Sequence, residues 1–163
     1  MTNERPLDFR DALNTVHAEL TPQPWDHTVG GRTITVIPAG LSADRGGAEV
    51  YVRITVSKTT AAEAAITTTD LPALIGALDE PLAQVWEHQP HWPDGTAKPR
   101  LGERWGDDYG MSLAPASEGF RVTVVEDTGD GIEEASVTLP QAQRRPFAAA
   151  LRRALDVAHG WES

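Results

Sequence analysis

The stretch from Ala48 to Ser57 alternates Val50, Val52, Ile54 and Val56 with Tyr51, Arg53, Thr55 and Ser57. A period of two sends successive side chains to opposite faces of an extended chain, so this segment predicts a strand with one apolar and one polar face. Strands of that kind belong in an antiparallel sheet covered on one side only. Arg32 to Pro38, with Ile34 and Val36, predicts a strand before it, and Ala62 to Thr69 a weaker one after it. Gly40 to Gly47 is a polar, glycine-rich turn between the first two. A second set follows. Met111 to Ser117 leads to Phe120 to Asp127, with Phe120, Val122 and Val124 inward, and then to Ile132 to Leu139, with Ala135, Val137 and Leu139 inward. Thr128-Gly129-Asp130-Gly131 supplies the turn chemistry of a hairpin between the last two.

Helical spacing alternates with these strand sets. Phe9, Leu13, Val16 and Leu20 form one stripe over residues 7–20, ended by Pro22 and Pro24. Leu71, Leu74, Ile75, Leu78, Leu82, Val85 and Trp86 predict a helix over 71–88, kinked or divided by Pro81. Phe147, Leu151, Ala154, Leu155 and Ala158 predict another over 141–159, with Gly160 as its stop. The expected fold is α+β in the order α-βββα-βββα, a mainly antiparallel sheet of five to six strands with helices on one face. The Leu-Pro pairs at 71–72 and 139–140 leave internal duplication and coincidence both open. The chain is expected to form one domain over 1–163. Within it, 1–31 is an N-terminal helix and linker, 32–88 a first βββα unit, 89–109 a Trp/His-rich loop and 110–163 a second βββα unit. In element order it resembles the small acidic secretion-chaperone and YbjN-type domains, and since those are commonly homodimers, the resemblance implies a homodimer.

Charge and composition narrow the partners. The formal net charge of −10 repels phosphate backbones, so nucleic acid is disfavoured and a basic protein partner is expected. Residues 141–159 are the exception, carrying Arg144, Arg145, Arg152 and Arg153 against Asp156. Without cysteine there is no thiolate nucleophile, disulfide or Cys-type zinc site. Met1 to Pro6 has neither the basic segment nor the apolar run of a secretory leader, and no stretch approaches the roughly 18 apolar residues of a membrane span. A cytoplasmic protein with no membrane partner is expected. Abundant Ala, Arg, Asp, Gly and Pro beside two lysines is residue usage of the high-GC actinobacterial kind.

The stretch from Trp86 to Tyr109 holds three of the five tryptophans and two of the five histidines. Long connections on a scaffold commonly carry binding, and aromatic residues dominate interface energetics. Trp92, Trp105 and Tyr109 are therefore the expected anchors, with His88, His91, Asp107 and Asp108 beside them as further binding groups. The His88/His91 spacing matches no zinc signature, and 127–134 departs from the calcium-loop pattern, so neither metal nor any cofactor is predicted. No nucleophile elbow, Ser-x-x-Lys, phosphate loop or dinucleotide fingerprint occurs, and no catalytic residue is assigned. The leading expectation is a non-enzymatic acidic protein-binding module of the adaptor, chaperone-like or immunity type. An enzyme or small-ligand binder with its site under the 86–109 loop, using His88, His91, Asp94, Asp107 or Asp108, is the alternative. A third reading makes the arginine-bearing last helix a nucleic-acid contact.

Overall fold

The computed structural model describes residues 24–41, 48–89, 91, 96, 109–127 and 131–162. Among the described residues eight strands form two separate four-stranded antiparallel sheets. The first contains β1 (Trp25–Val29), β2 (Arg32–Leu41), β3 (Ala48–Thr55) and β4 (Ala61–Thr67) in chain order. The second contains β5 (Trp86–Glu87), β6 (Tyr109–Ala116), β7 (Gly119–Asp127) and β8 (Ile132–Pro140), again in chain order. A helix follows each sheet: α1 (Leu71–Ala77), and α2 (Arg144–Glu162) after a 3₁₀ turn at Gln141–Gln143. Among the described residues no helix is long and apolar enough to cross a membrane.

Alternation decides which faces are buried. In the first sheet Ile34 and Val36 stand opposite Ile54 and Val52, which stand in turn opposite Ala62 and Ala64, and all six are buried. In the second, Met111 and Leu113 oppose Val124 and Val122, and these oppose Ala135 and Val137. Both inner faces share one core with α2. Phe147 is the joint: fully buried, it stacks on Trp25 of β1 at 5.6 Å and on Phe120 of β7 at 6.4 Å between ring centroids, so one side chain touches both sheets. Two polar links reinforce the join. Arg32 donates to the Ser136 carbonyl (2.7 Å), and the Glu63 backbone N–H to Glu126 Oε1 (3.1 Å).

This architecture corrects the expected single sheet of five to six strands with helices on one face. Periodicity marks each strand and its inner side, yet says nothing of how strands group, and here they divide into two sheets. Two strands lie where the sequence pattern predicts none. Trp25–Val29 falls in the expected linker, but Gly30 (φ 58°) and Gly31 (φ 80°) form the tight turn that folds it back onto β2, with Trp25, His27 and Val29 on the inner side. The helix expected over 71–88 ends at Ala77, with Leu78 as its cap, just before the Glu80-Pro81 junction, where proline removes a helical donor and restricts its predecessor. Trp86 and Glu87, freed from that helix, pair with Leu113 and Ser112 as β5. The last helix runs to Glu162, past Gly160. The helix expected over 7–20 lies outside the described residues. Of the residues expected in the core, Val52, Ile54, Leu74, Leu78, Val122, Val124 and Leu151 are buried, and Leu155 is partly so.

Candidate functional site

Asp70 closes the triple-threonine turn after β4, at the position that caps α1. An aspartate there ordinarily accepts a hydrogen bond from the first helical turn. Its carboxylate makes no such bond and is turned instead to two histidines. His88 Nε2 lies 3.2 Å from Oδ2, His91 Nδ1 lies 2.5 Å from Oδ1, and the His91 backbone N–H donates to Oδ2 at 3.1 Å. The His88 N–H in turn donates to the Met111 carbonyl (2.8 Å), tying the segment after β5 to β6. Asp70 and His88 are 4% and 3% exposed. Burial alone raises an aspartate, but the hydrogen bonds from both rings, the electrostatic attraction of His88 and the His91 N–H outweigh it and hold the carboxyl below its ordinary range. His88 Nδ1 is buried and has no partner among the described residues. Among those residues no group of three or more His, Asp or Glu is placed to hold a metal ion.

A second region is built by α2. Its apolar stripe is buried, which leaves Arg145, Arg152 and Arg153, seven and eight positions apart, on the exposed side. Arg152 pairs with Asp79 (2.8 Å), and Arg144 donates to the Leu78 carbonyl (2.6 Å) at the C-terminus of α1, where a cation complements the helix dipole. Arg145 and Arg153 have no ion partner among the described residues. Beside the Arg152–Asp79 pair, a recess of about 530 Å³ is bounded by Gly76, Asp79, Leu82, Val85 and Trp86.

The outer face of the first sheet contrasts with this helix. There Arg53 is neutralised by Glu63 at 2.9 Å, and burial, then the negative charges of Glu49 and Glu63, push the Tyr51 phenol above its ordinary range. The helix face is where exposed positive charge collects.

Of the expected binding residues, His88 and His91 are brought together, on a carboxylate that the sequence does not place with them. Asp70 stands out only by its place before Leu71-Pro72, and nothing in sequence spacing connects positions 70, 88 and 91. Trp92, Trp105, Asp94, Asp107 and Asp108 lie outside the described residues. The Tyr109 backbone opens β6 opposite Glu126. The four arginines expected on the last helix all lie on α2.

No family model matches the chain, and no curated protein matches it by sequence. Solved structures do. The crystal structure of WHY3 from Arabidopsis thaliana matches with a TM-score of 0.52 and 13% identity over 86% of this chain and 90% of that one. WHY1 from Arabidopsis thaliana matches with 0.52 and 14% over 88% and 95%. The plant transcriptional regulator PBF-2 matches with 0.51 and 12% over 86% of each chain. At such identity the likeness is one of fold. It overturns the expected adaptor and its resemblance to secretion chaperones. The placing of nucleic acid as a disfavoured partner falls with it, since a regulator of transcription stands among the chains that share this fold.

Proposed function

We propose that the protein binds nucleic acid, single strands in preference to duplex, with the exposed arginines of α2 seated on the phosphates. The observation that carries this is the pair of exposed arginines Arg145 and Arg153, with no ion partner among the described residues, on one helix of an otherwise acidic chain, in a fold shared with a transcriptional regulator. The preference for a single strand follows from charge. A body at −10 opposes phosphate, and a duplex presents about twice the charge per unit length. A lone strand also exposes its bases, so that aromatic side chains can add to binding where electrostatics are weak. Trp92, Trp105 and Tyr109 are the proposed stacking residues, and His88 and His91, held on Asp70, set the start of the stretch that carries them. This reading takes the cytosol as the compartment, where nucleic acid is within reach.

The test is fluorescence anisotropy of a labelled mixed-sequence single strand and its duplex, titrated with wild type and with the double variant Arg145→Glu/Arg153→Glu at several salt concentrations. The strand should bind more tightly than the duplex. The double variant should bind at least about tenfold more weakly, with a salt slope lower by about two, since each arginine taken off a phosphate lowers the slope by about one. Tighter binding of the duplex, or affinity indifferent to the two reversals, would refute the proposal.

A further inference from the structure

We infer that the recess between α1 and residues 79–86 is a subsite for one unpaired nucleobase of the bound strand, a deepening that rests on the function proposed above. Its volume of about 530 Å³ lies inside the roughly 300–1,000 Å³ spanned by small-ligand pockets. Its composition suits a flat aromatic ring. Leu82 and Trp86 are partly buried against the core and border it, and Val85 stands 59% exposed beside them, a large apolar side chain that no described part of the fold covers.

Gly76 is the second, independent observation. It is the penultimate residue of a seven-residue helix, where glycine still lowers helix propensity relative to alanine. No backbone requirement accounts for it, because its φ is not positive, and a Cβ built there meets no atom within 4 Å. The residue borders the recess, so any larger side chain would intrude on it. Glycine at this point keeps the recess open, as glycines do where backbone and ligand approach closely.

Charge completes the assignment. Asp79 borders the recess and holds Arg152 at 2.8 Å, which brings the arginine face of α2 to its rim. A strand whose phosphates follow Arg145 and Arg153, on the helix that carries Arg152, therefore passes the opening. The carboxylates of Asp79 and Glu80, which disfavour phosphate inside, are acceptors for an exocyclic amine of the kind cytosine carries. The occupant is thus a base with an amino group, seated beside the indole of Trp86 with its phosphates left outside on the helix.

The experiment uses the full chain, a twelve-residue deoxycytidine strand and a twelve-residue abasic strand with the same phosphates. Gly76→Leu places its Cβ in open space beside the recess and has better helix propensity, so its melting temperature should equal or exceed that of wild type. It should bind the deoxycytidine strand about tenfold more weakly, the scale of one missing base stack, and bind the abasic strand as wild type does. Val85→Ser, at an exposed position, should show the same selectivity in smaller measure, and it decides the matter should Gly76→Leu fold poorly. Unchanged binding of deoxycytidine by both variants overturns the subsite alone, provided Arg145→Glu/Arg153→Glu still weakens both strands. Failure of wild type to bind either strand overturns the subsite together with the function on which it rests.

Discussion

The two halves of the molecule have the same order of elements, four antiparallel strands and then a helix, and they put that order to different use. In the second half the helix has 19 residues, buries Phe147, Leu151, Ala154 and Ala158, and supplies the joint between the sheets. In the first half it has seven residues, includes a glycine and stops before Pro81. The long helix closes the core. The short one leaves a buried Asp–His cluster at its start and an open recess at its end. A helix that covers its sheet fully has little room for a site, whereas one cut short exposes what the sheet would otherwise hide.

The sharpest way to break this contrast is to weaken the long helix. Leu151 is fully buried, so Leu151→Ala should cost roughly 2–5 kcal/mol in chemical denaturation. A loss below about 1 kcal/mol would mean that α2 does not hold the sheets together.

A smaller effect is expected at the start of the short helix. Asp70→Ala removes the acceptor shared by His88 and His91 and should cost roughly 1.5–3 kcal/mol at neutral pH, the range for hydrogen bonds to a charged group. The folded carboxyl lies below its unfolded value of about 3.9, so its stabilisation is present above that pH and is lost as pH falls through the lower, folded value. Wild type should therefore lose stability in that acid window and the variant less of it. Parallel pH profiles for the two proteins would show that the cluster contributes nothing.

The smallest change sharpens the contrast. Gly76→Ala should raise stability by roughly 0.5–1 kcal/mol, the usual gain on replacing a helical glycine where space is free. A destabilised Gly76→Ala would show that the short helix is packed more tightly than its open side implies.

Much of this is legible residue by residue. The alternation of Val50, Val52 and Ile54, and of Phe120, Val122 and Val124, gives the inner face of each sheet, and the spacing of Phe147, Leu151 and Ala154 gives the buried side of α2. The grouping of strands is not legible, because antiparallel partners are chosen by packing across a shared core and not by local pattern. Trp25–Val29 hides in this way, since Asp26, His27 and Thr28 dilute its apolar signal, although Gly30-Gly31 marks the turn beyond it. The apolar stripe that runs on through Leu82, Val85 and Trp86 imitates a longer helix, and only the backbone chemistry of Pro81 argues against it. For the site, the histidines and the arginines stand out by type. Asp70 and the recess do not, because each depends on residues that only the folded chain brings together.

Phe147 has one further consequence, for the order of events during synthesis. It rests on Trp25 near one end of the described chain and on Phe120 towards the other, and the Arg32–Ser136 link spans 104 residues. Pairings this distant in sequence form late, because the entropy of closing the intervening chain must be met first. As the polypeptide leaves the ribosome, β1 to β4 emerge with their apolar face uncovered, and the part of it that α2 covers stays so until the helix carrying Phe147 has been translated. The first sheet therefore passes through a nascent stage in which its greasy side is open to chaperones and to neighbouring chains, and the last helix ends that exposure.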